Sequence, residues 1–245
     1  MSAPSPAERA RLKRAAAARA VEFVEPGMVL GLGTGSTAEL ALEALAARVA
    51  EGLRITAIPT SERTAALARH AGIALTSFAE HRRLDLTIDG ADEVARTTLD
   101  LIKGLGGALL REKIVAAASA RMIVIVDQSK LVDRLGARSP LPVEIVPFGW
   151  EIVIDRLAAL GATPSLRLAD GAPFITDGGN YIADCVFPAI VDPAALERQL
   201  SAITGIIESG LFVGLAGTVI VGRQSGVDIL ERPRVRGGRS RRGPR

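Results

Sequence analysis

Cysteine and histidine are almost absent from this chain. A single cysteine, Cys185, among 245 residues excludes an internal disulfide. Two histidines, His70 and His81, leave no cluster able to hold zinc or iron, so no metal is expected. No apolar run approaches the roughly 20 residues needed to cross a bilayer. Residues 1–19 also lack the continuous apolar centre of a secretory signal. These absences point to a soluble, unexported protein of a reducing cytoplasm, with no membrane partner.

Nearly half of the residues, 48%, are apolar, enough for one α/β domain with a smaller appended or inserted unit. The net charge of +3 is unevenly placed. Residues 232–245 carry seven arginines and no acid; subtracting them from the 30 basic residues leaves 23 against 27 acidic ones. The body is mildly acidic, and the tail alone makes the chain basic. RPRVRGGRSRRGPR has almost nothing apolar to bury, so 232–245 is expected to be a disordered, solvated tail. Weak contact of that tail with RNA or an anionic surface is the only nucleic-acid role the charge pattern leaves open.

Helical and strand patterns alternate along the first half. An Ala-rich helix is predicted over 7–24, a strand at Val29–Leu32, and a helix over Ala38–Ala50 after the Gly33–Thr37 turn. Further strands are predicted at Ile55–Ile58, Leu84–Ile88, Leu99–Ile102 and Met122–Val126, with helices over about 60–71 and 108–120. This order implies a doubly wound, mostly parallel, Rossmann-like sheet. After Pro140 the pattern changes to short strands, including Ser165–Leu168, Phe174–Thr176 and Tyr181–Val186, and helices over 149–160 and 194–203. Expected boundaries are 1–139 plus 213–231 for the main domain and 140–212 for an inserted α+β lid.

Polar residues collect where predicted strands end, which is where open α/β sheets bind ligands. Gly33 and Gly35 let backbone amides approach an anion, and Thr34, Ser36 and Thr37 add hydroxyls at a helix N-terminus. That describes a phosphate cradle or simply a good turn. Ser36 stands where a dinucleotide fingerprint has its third glycine, which favours a phosphate monoester over NAD. Asp89 and Asp92 flank Gly90-Ala91 and precede Glu93, so three acids need a lysine, solvent or a polyhydroxyl ligand. Asp92 alternatively caps a helix. Lys103 leads a glycine turn into Arg111-Glu112-Lys113, pairing an ammonium suited to an enediolate with a carboxylate suited to proton transfer. An ordinary charged helix face is the competing reading of that triplet.

GLGTGST (31–37), TSERT (60–64), DGADE (89–93), KGLGGALLREK (103–113), DQSK (127–130) and LPVE (141–144) occur in this order. Together they resemble type A ribose-5-phosphate isomerase; ITDGGNYIAD (175–184) and GIIESGLF (205–212) extend the likeness. The resemblance implies a cofactor-free enzyme of the non-oxidative pentose phosphate pathway, acting as a homodimer or dimer of dimers. It makes Glu112 the base, Lys103 the enediolate partner, and Asp89 and Asp92 contacts of the sugar hydroxyls, with Asp89 assisting ring opening. Thr34, Gly35, Ser36, Thr37, Gly90, Ala91, Gly104, Leu105, Gly106 and Lys130 become substrate-binding, with Lys13 a further phosphate contact. Leu105 replaces a glycine of some members, so its side chain should point away from substrate. A sugar-phosphate sensor is the main rival, but the chain has room for only one helix before the first strand and thus for no helix-turn-helix. Deleting residues 232–245 should leave turnover unchanged, as kcat on ribose 5-phosphate would show; a large loss would give the tail a role.

Overall fold

The computed structural model describes residues 5–232. In chain order the elements of the first half are α1 (Pro6–Val21), β1 (Val29–Leu32), α2 (Ser36–Ala50), β2 (Thr56–Pro59), α3 (Glu62–His70), β3 (Ala74–Leu75), β4 (Leu86–Asp89), β5 (Glu93–Ala95), β6 (Leu101–Ile102), α4 (Leu109–Ala117), β7 (Met122–Asp127) and β8 (Leu131–Val132). The second half adds β9 (Leu141–Ile145), α5 (Trp150–Ala159), β10 (Thr163–Leu166), β11 (Leu168–Ala169), β12 (Ala172–Pro173), β13 (Tyr181–Val186), α6 (Pro193–Ser201), β14 (Ile206–Ser209), β15 (Leu211–Phe212), β16 (Thr218–Arg223) and β17 (Gly226–Glu231).

A seven-stranded sheet in the order β17-β16-β7-β4-β1-β2-β3 forms the main layer. Every pairing in it is parallel except β16 with β17. The central strands are buried on both faces, as MIVIVD of β7 shows, which is what a parallel sheet covered by helices requires. The doubly wound α/β expectation is therefore met. Small residues set the helix distances. Ala16, Ala17 and Ala20 face the core from α1, and a Cβ on Gly222 of β16 would stand 2.0 Å from the Leu12 carbonyl oxygen. Likewise a Cβ on Gly31 of β1 would meet Val115 of α4 at 2.4 Å. That close approach brings α4 down onto the strand ends.

A four-stranded antiparallel sheet, β10-β13-β9-β14, carries α5 and α6 and has its own apolar core around Val143, Ile145, Leu157 and Leu200. A small sheet, β15-β6-β5-β8, lies where the chain returns from it. Buried Glu93 ties the approach to this region, accepting from the backbone N–H groups of Gly136, Arg138 and Ser139 at 2.6–2.7 Å.

Several expectations are corrected. The strand expected at Leu99–Ile102 shortens to β6 and joins the small sheet, because its partners are β5 and β15. Phe174–Thr176 forms no strand; Ala172–Pro173 does, and Phe174 instead packs its ring on Gly107. Asp92 caps no helix, since β5 follows it. The antiparallel edge strand β17 was not foreseen. Arg232, expected to open a disordered tail, is part of the fold: its guanidinium donates to Asp100 Oδ1 at 3.0 Å and to the Ala216 carbonyl at 2.9 Å. The rest of the expected tail, 233–245, lies outside the described residues. No helix among the described residues is long and apolar enough to cross a membrane. Gly222→Ala should push α1 off the sheet and cost about 1–3 kcal/mol; urea unfolding would show a lower midpoint, and an unchanged midpoint would refute the close packing.

Candidate active site

The main sheet reverses its winding between β1 and β4, and a small cleft of about 100 Å³ opens at their carboxyl ends, where open α/β sheets bind ligands. One end is built for an anion. Gly35, at φ +105°, caps α2 in a conformation other residues resist, and the first amides of α2 lack intrahelical partners. Ser36 and Thr37 add hydroxyls to the same wall. Lys13 reaches across from α1 and donates to Ser36 Oγ at 3.2 Å. Lys130 lines the same end from the short turn after β7, where Asp127 accepts the Ser129 N–H at 2.9 Å.

Thr34 closes the cradle from behind. Its hydroxyl meets those of Thr60, Ser61 and Thr64 at 2.7, 2.9 and 3.2 Å. Thr64 in turn donates to the Gly33 carbonyl at 3.0 Å, so the start of α3 holds the Gly33–Thr37 turn. From sequence these three residues stand at the opening of a helix and in the TSERT motif, with no site role. The available signal was three hydroxyls at a strand-to-helix turn, a pattern that ordinary capping also explains.

At the other end Lys103 is 2% exposed, and its Nζ lies 3.0 Å from Asp89 Oδ2 and 3.4 Å from Glu112 Oε1. It also donates to the Gly90 carbonyl at 2.6 Å. Gly90, Ala91, Asp92, Gly104 and Gly106 form the wall around it. Asp92 Oδ2 accepts the Leu105 N–H at 2.9 Å, joining the two glycine-rich loops. Two of the expected site residues, Asp89 and Leu105, do not line the cleft, and the outward Leu105 side chain is as expected. Asp89 is fully buried behind the wall, its Oδ1 accepting from the N–H groups of Thr34 and Gly90 at 3.2 and 2.7 Å. Leu105 turns its side chain outward and is absent from the cleft wall.

Two carboxylates thus share one buried ammonium. Burial alone would lower the Lys103 pKa, but the charges of Asp89 and Glu112 outweigh it and hold the pKa above its ordinary value. Burial raises Glu112, the Asp89 charge raises it further, and Lys103 opposes both, leaving it at about 8. Burial also raises Asp89, against the pull of Lys103 and of two backbone donors. Both carboxyls are thus pushed toward their protonated forms, and the single Lys103 ammonium opposes this at each of them. Glu112 lines the cleft, and its Oε2 has no hydrogen-bond partner among the described residues. A buried carboxyl with a raised pKa, a fixed cation and a helix N-terminus suited to an anion lie together in one small cleft, a set able to move a proton within a phosphorylated substrate.

Comparison with known proteins agrees. The model of ribose 5-phosphate isomerase A (phosphoriboisomerase A) matches residues 56–226. Ribose-5-phosphate isomerase A of Gloeobacter violaceus is 60% identical over 219 residues, 89% of this chain and 95% of that one. Among solved structures, ribose 5-phosphate isomerase A of Methanocaldococcus jannaschii superposes with a TM-score of 0.88 at 42% identity, covering 91% of this chain and 99% of that one. A D-ribose-5-phosphate isomerase in complex with phospho-erythronic acid gives 0.88 at 41% identity, covering 91% and 98%. The chain is therefore an isomerase, and it belongs to the ribose 5-phosphate isomerase A family.

The raised Glu112 pKa has a consequence for stability. Between the ordinary value of 4.5 and about 8 the folded chain holds a proton that the unfolded chain has released, so stability should fall as pH rises through that window. Glu112→Gln should match the wild type near pH 5 and exceed it above about pH 8. Parallel pH–stability curves for the two proteins would contradict the assignment.

Proposed function

We propose that this enzyme interconverts D-ribose 5-phosphate and D-ribulose 5-phosphate by proton transfer through Glu112, without metal or cofactor. The observation that carries this reading is Glu112 itself, buried on the cleft wall beside Lys103, with one carboxyl oxygen unbonded. Substrate phosphate docks on Gly35–Thr37 at the start of α2, between Lys13 and Lys130. With the chain open, Glu112 takes the proton from C2, and the electron pair moves onto the C1 carbonyl oxygen to give an enediolate. Lys103 stabilises that oxyanion, a proton shifts from the C2 hydroxyl to the C1 oxygen, and Glu112 returns its proton to C1. Asp92 faces the sugar hydroxyls, while Asp89 acts on the sugar through Lys103 and assists ring opening by that route.

Phospho-erythronic acid, named with one related structure, supports this reading because its carboxylate has the planar, anionic form of an enediolate. The expected setting is the non-oxidative pentose phosphate pathway in the cytoplasm, with the chain as a homodimer or dimer of dimers.

The test is conversion of ribose 5-phosphate by chelator-treated wild type and by Glu112→Gln. Rapid turnover by the first and near-abolition in the second are expected; equal turnover would move the base elsewhere. A companion profile of kcat/KM should rise with pH across about 8, as Glu112 loses its proton in the free enzyme. A profile flat from about pH 6 to 9 would exclude Glu112 as the base.

A further inference from the structure

We infer that Arg167, a residue of the smaller domain, is a positioning residue for the reaction, because it sets the direction of the backbone amide that the Lys103–Gly107 turn presents to the cleft. Arg167 lies just beyond β10, more than sixty residues from that turn in sequence. Its Nη1 donates to the carbonyl oxygen of Gly104 at 2.9 Å and to that of Leu105 at 3.2 Å. The guanidinium is itself held. Its Nε donates to Asp184 Oδ2 at 2.8 Å and its Nη2 pairs with Asp184 Oδ1, a forked geometry that fixes the plane of the group. Its Cζ lies 5.8 Å from the centre of the Phe174 ring, which covers Gly107.

The effect on the turn follows from peptide planarity. In a trans peptide the N–H of one residue points opposite to the carbonyl before it. With the Gly104 carbonyl pulled toward Arg167, the Leu105 N–H must point the other way, and there it meets Asp92 Oδ2. With the Leu105 carbonyl pulled to the same side, the Gly106 N–H is likewise turned from the small domain. Gly106 lies on the cleft wall, and its N–H has no partner among the described residues. Gly104 and Gly107 are both at positive φ, and the turn's own bond runs from the Gly107 N–H to the Gly104 carbonyl at 3.0 Å, leaving the Leu105 carbonyl without a partner inside the turn. Two hydrogen bonds from a rigid guanidinium add a second hold on the Gly104 carbonyl and fix that of Leu105. The Gly106 amide becomes a fixed donor for an oxygen of the reacting sugar, next to Lys103.

This inference rests on the reading of Lys103 and Glu112 as the reacting groups. The experiment compares wild type, Lys103→Ala, Arg167→Ala, Arg167→Lys and Asp184→Asn for kcat, KM and melting temperature. Arg167→Ala is expected to lower kcat by about 10-fold to 100-fold, the size of a misplaced or lost oxyanion donor, with KM changed much less because the phosphate cradle is untouched. Arg167→Lys should fail to restore kcat, since an ammonium cannot hold the fork. Added guanidinium at millimolar concentration should restore part of the Arg167→Ala loss, which a merely structural role would not allow. Asp184→Asn keeps the residue's shape and should show a smaller kcat loss, and it carries the test if Arg167→Ala does not fold. Folded Arg167→Ala or Asp184→Asn with wild-type kcat, whatever its melting temperature, would overturn the inference. Activity retained in Lys103→Ala would instead overturn the reading of the site on which it stands.

Discussion

The structure is organised around one buried ammonium shared by two carboxyl groups. Lys103 has left water almost completely, and the charges of Asp89 and Glu112 are what keep it protonated there. Such burial is costly unless the partners are held in place, so the surrounding chain is committed to holding them. Gly33 is one consequence, because a Cβ there would stand 2.1 Å from Asp89 Oδ1. A single positive charge cannot balance two negative ones in a medium without water, so both carboxyls are pushed toward their protonated forms. Of the two, Glu112 is the one that lines the cleft. Ionising it is what the fold resists.

Helix α4 places that carboxyl, and its neighbours in sequence keep the helix from turning. Residues 111–113 point about 100° apart around the axis. Arg111 reaches Glu62 at 2.8 Å and Asp177 at 3.5 Å. Lys113 reaches Glu208 at 2.7 Å and Glu197 at 3.1 Å, with the Phe212 ring beside it. Such pairs contribute little singly when exposed, but they pull from two sides and leave Glu112 between them facing inward. Asp177, Glu197 and Glu208 come from the region after Pro140, which braces α4 and, through Arg167, the 103–107 turn.

Much of this was open to inspection in the residues alone. Strand, glycine turn and helix at 29–50 follow from local propensity, because a short apolar run, a Gly-Thr-Gly-Ser break and an Ala-Leu helical period each act over a few residues. DGADE and KGLGG were recognisable as unusual because they place charge beside glycine where a strand ends. Glu112 was ambiguous from periodicity alone, since REK on a helix is also an ordinary solvated face. The choice depended on what packs against α4, and that is decided by Gly31 and Val115 from different parts of the chain. The strand expected at Phe174–Thr176 failed for a related reason: an aromatic beside Ile and Thr has strand propensity, and contact with Gly107 overrode it.

The sequence by itself determined the winding of the sheet, the anion cradle and the residue types of the site, because those depend on periodicity, turn chemistry and side-chain identity within short segments. Tertiary structure alone decided that Asp89 faces Lys103 instead of the cleft, that Arg232 belongs to the fold, and that Arg167 grips a turn distant from it in the chain. Each of these is a pairing between separated segments. A charged side chain can satisfy its hydrogen bonds with many partners, and only the packed backbone selects which one lies within reach.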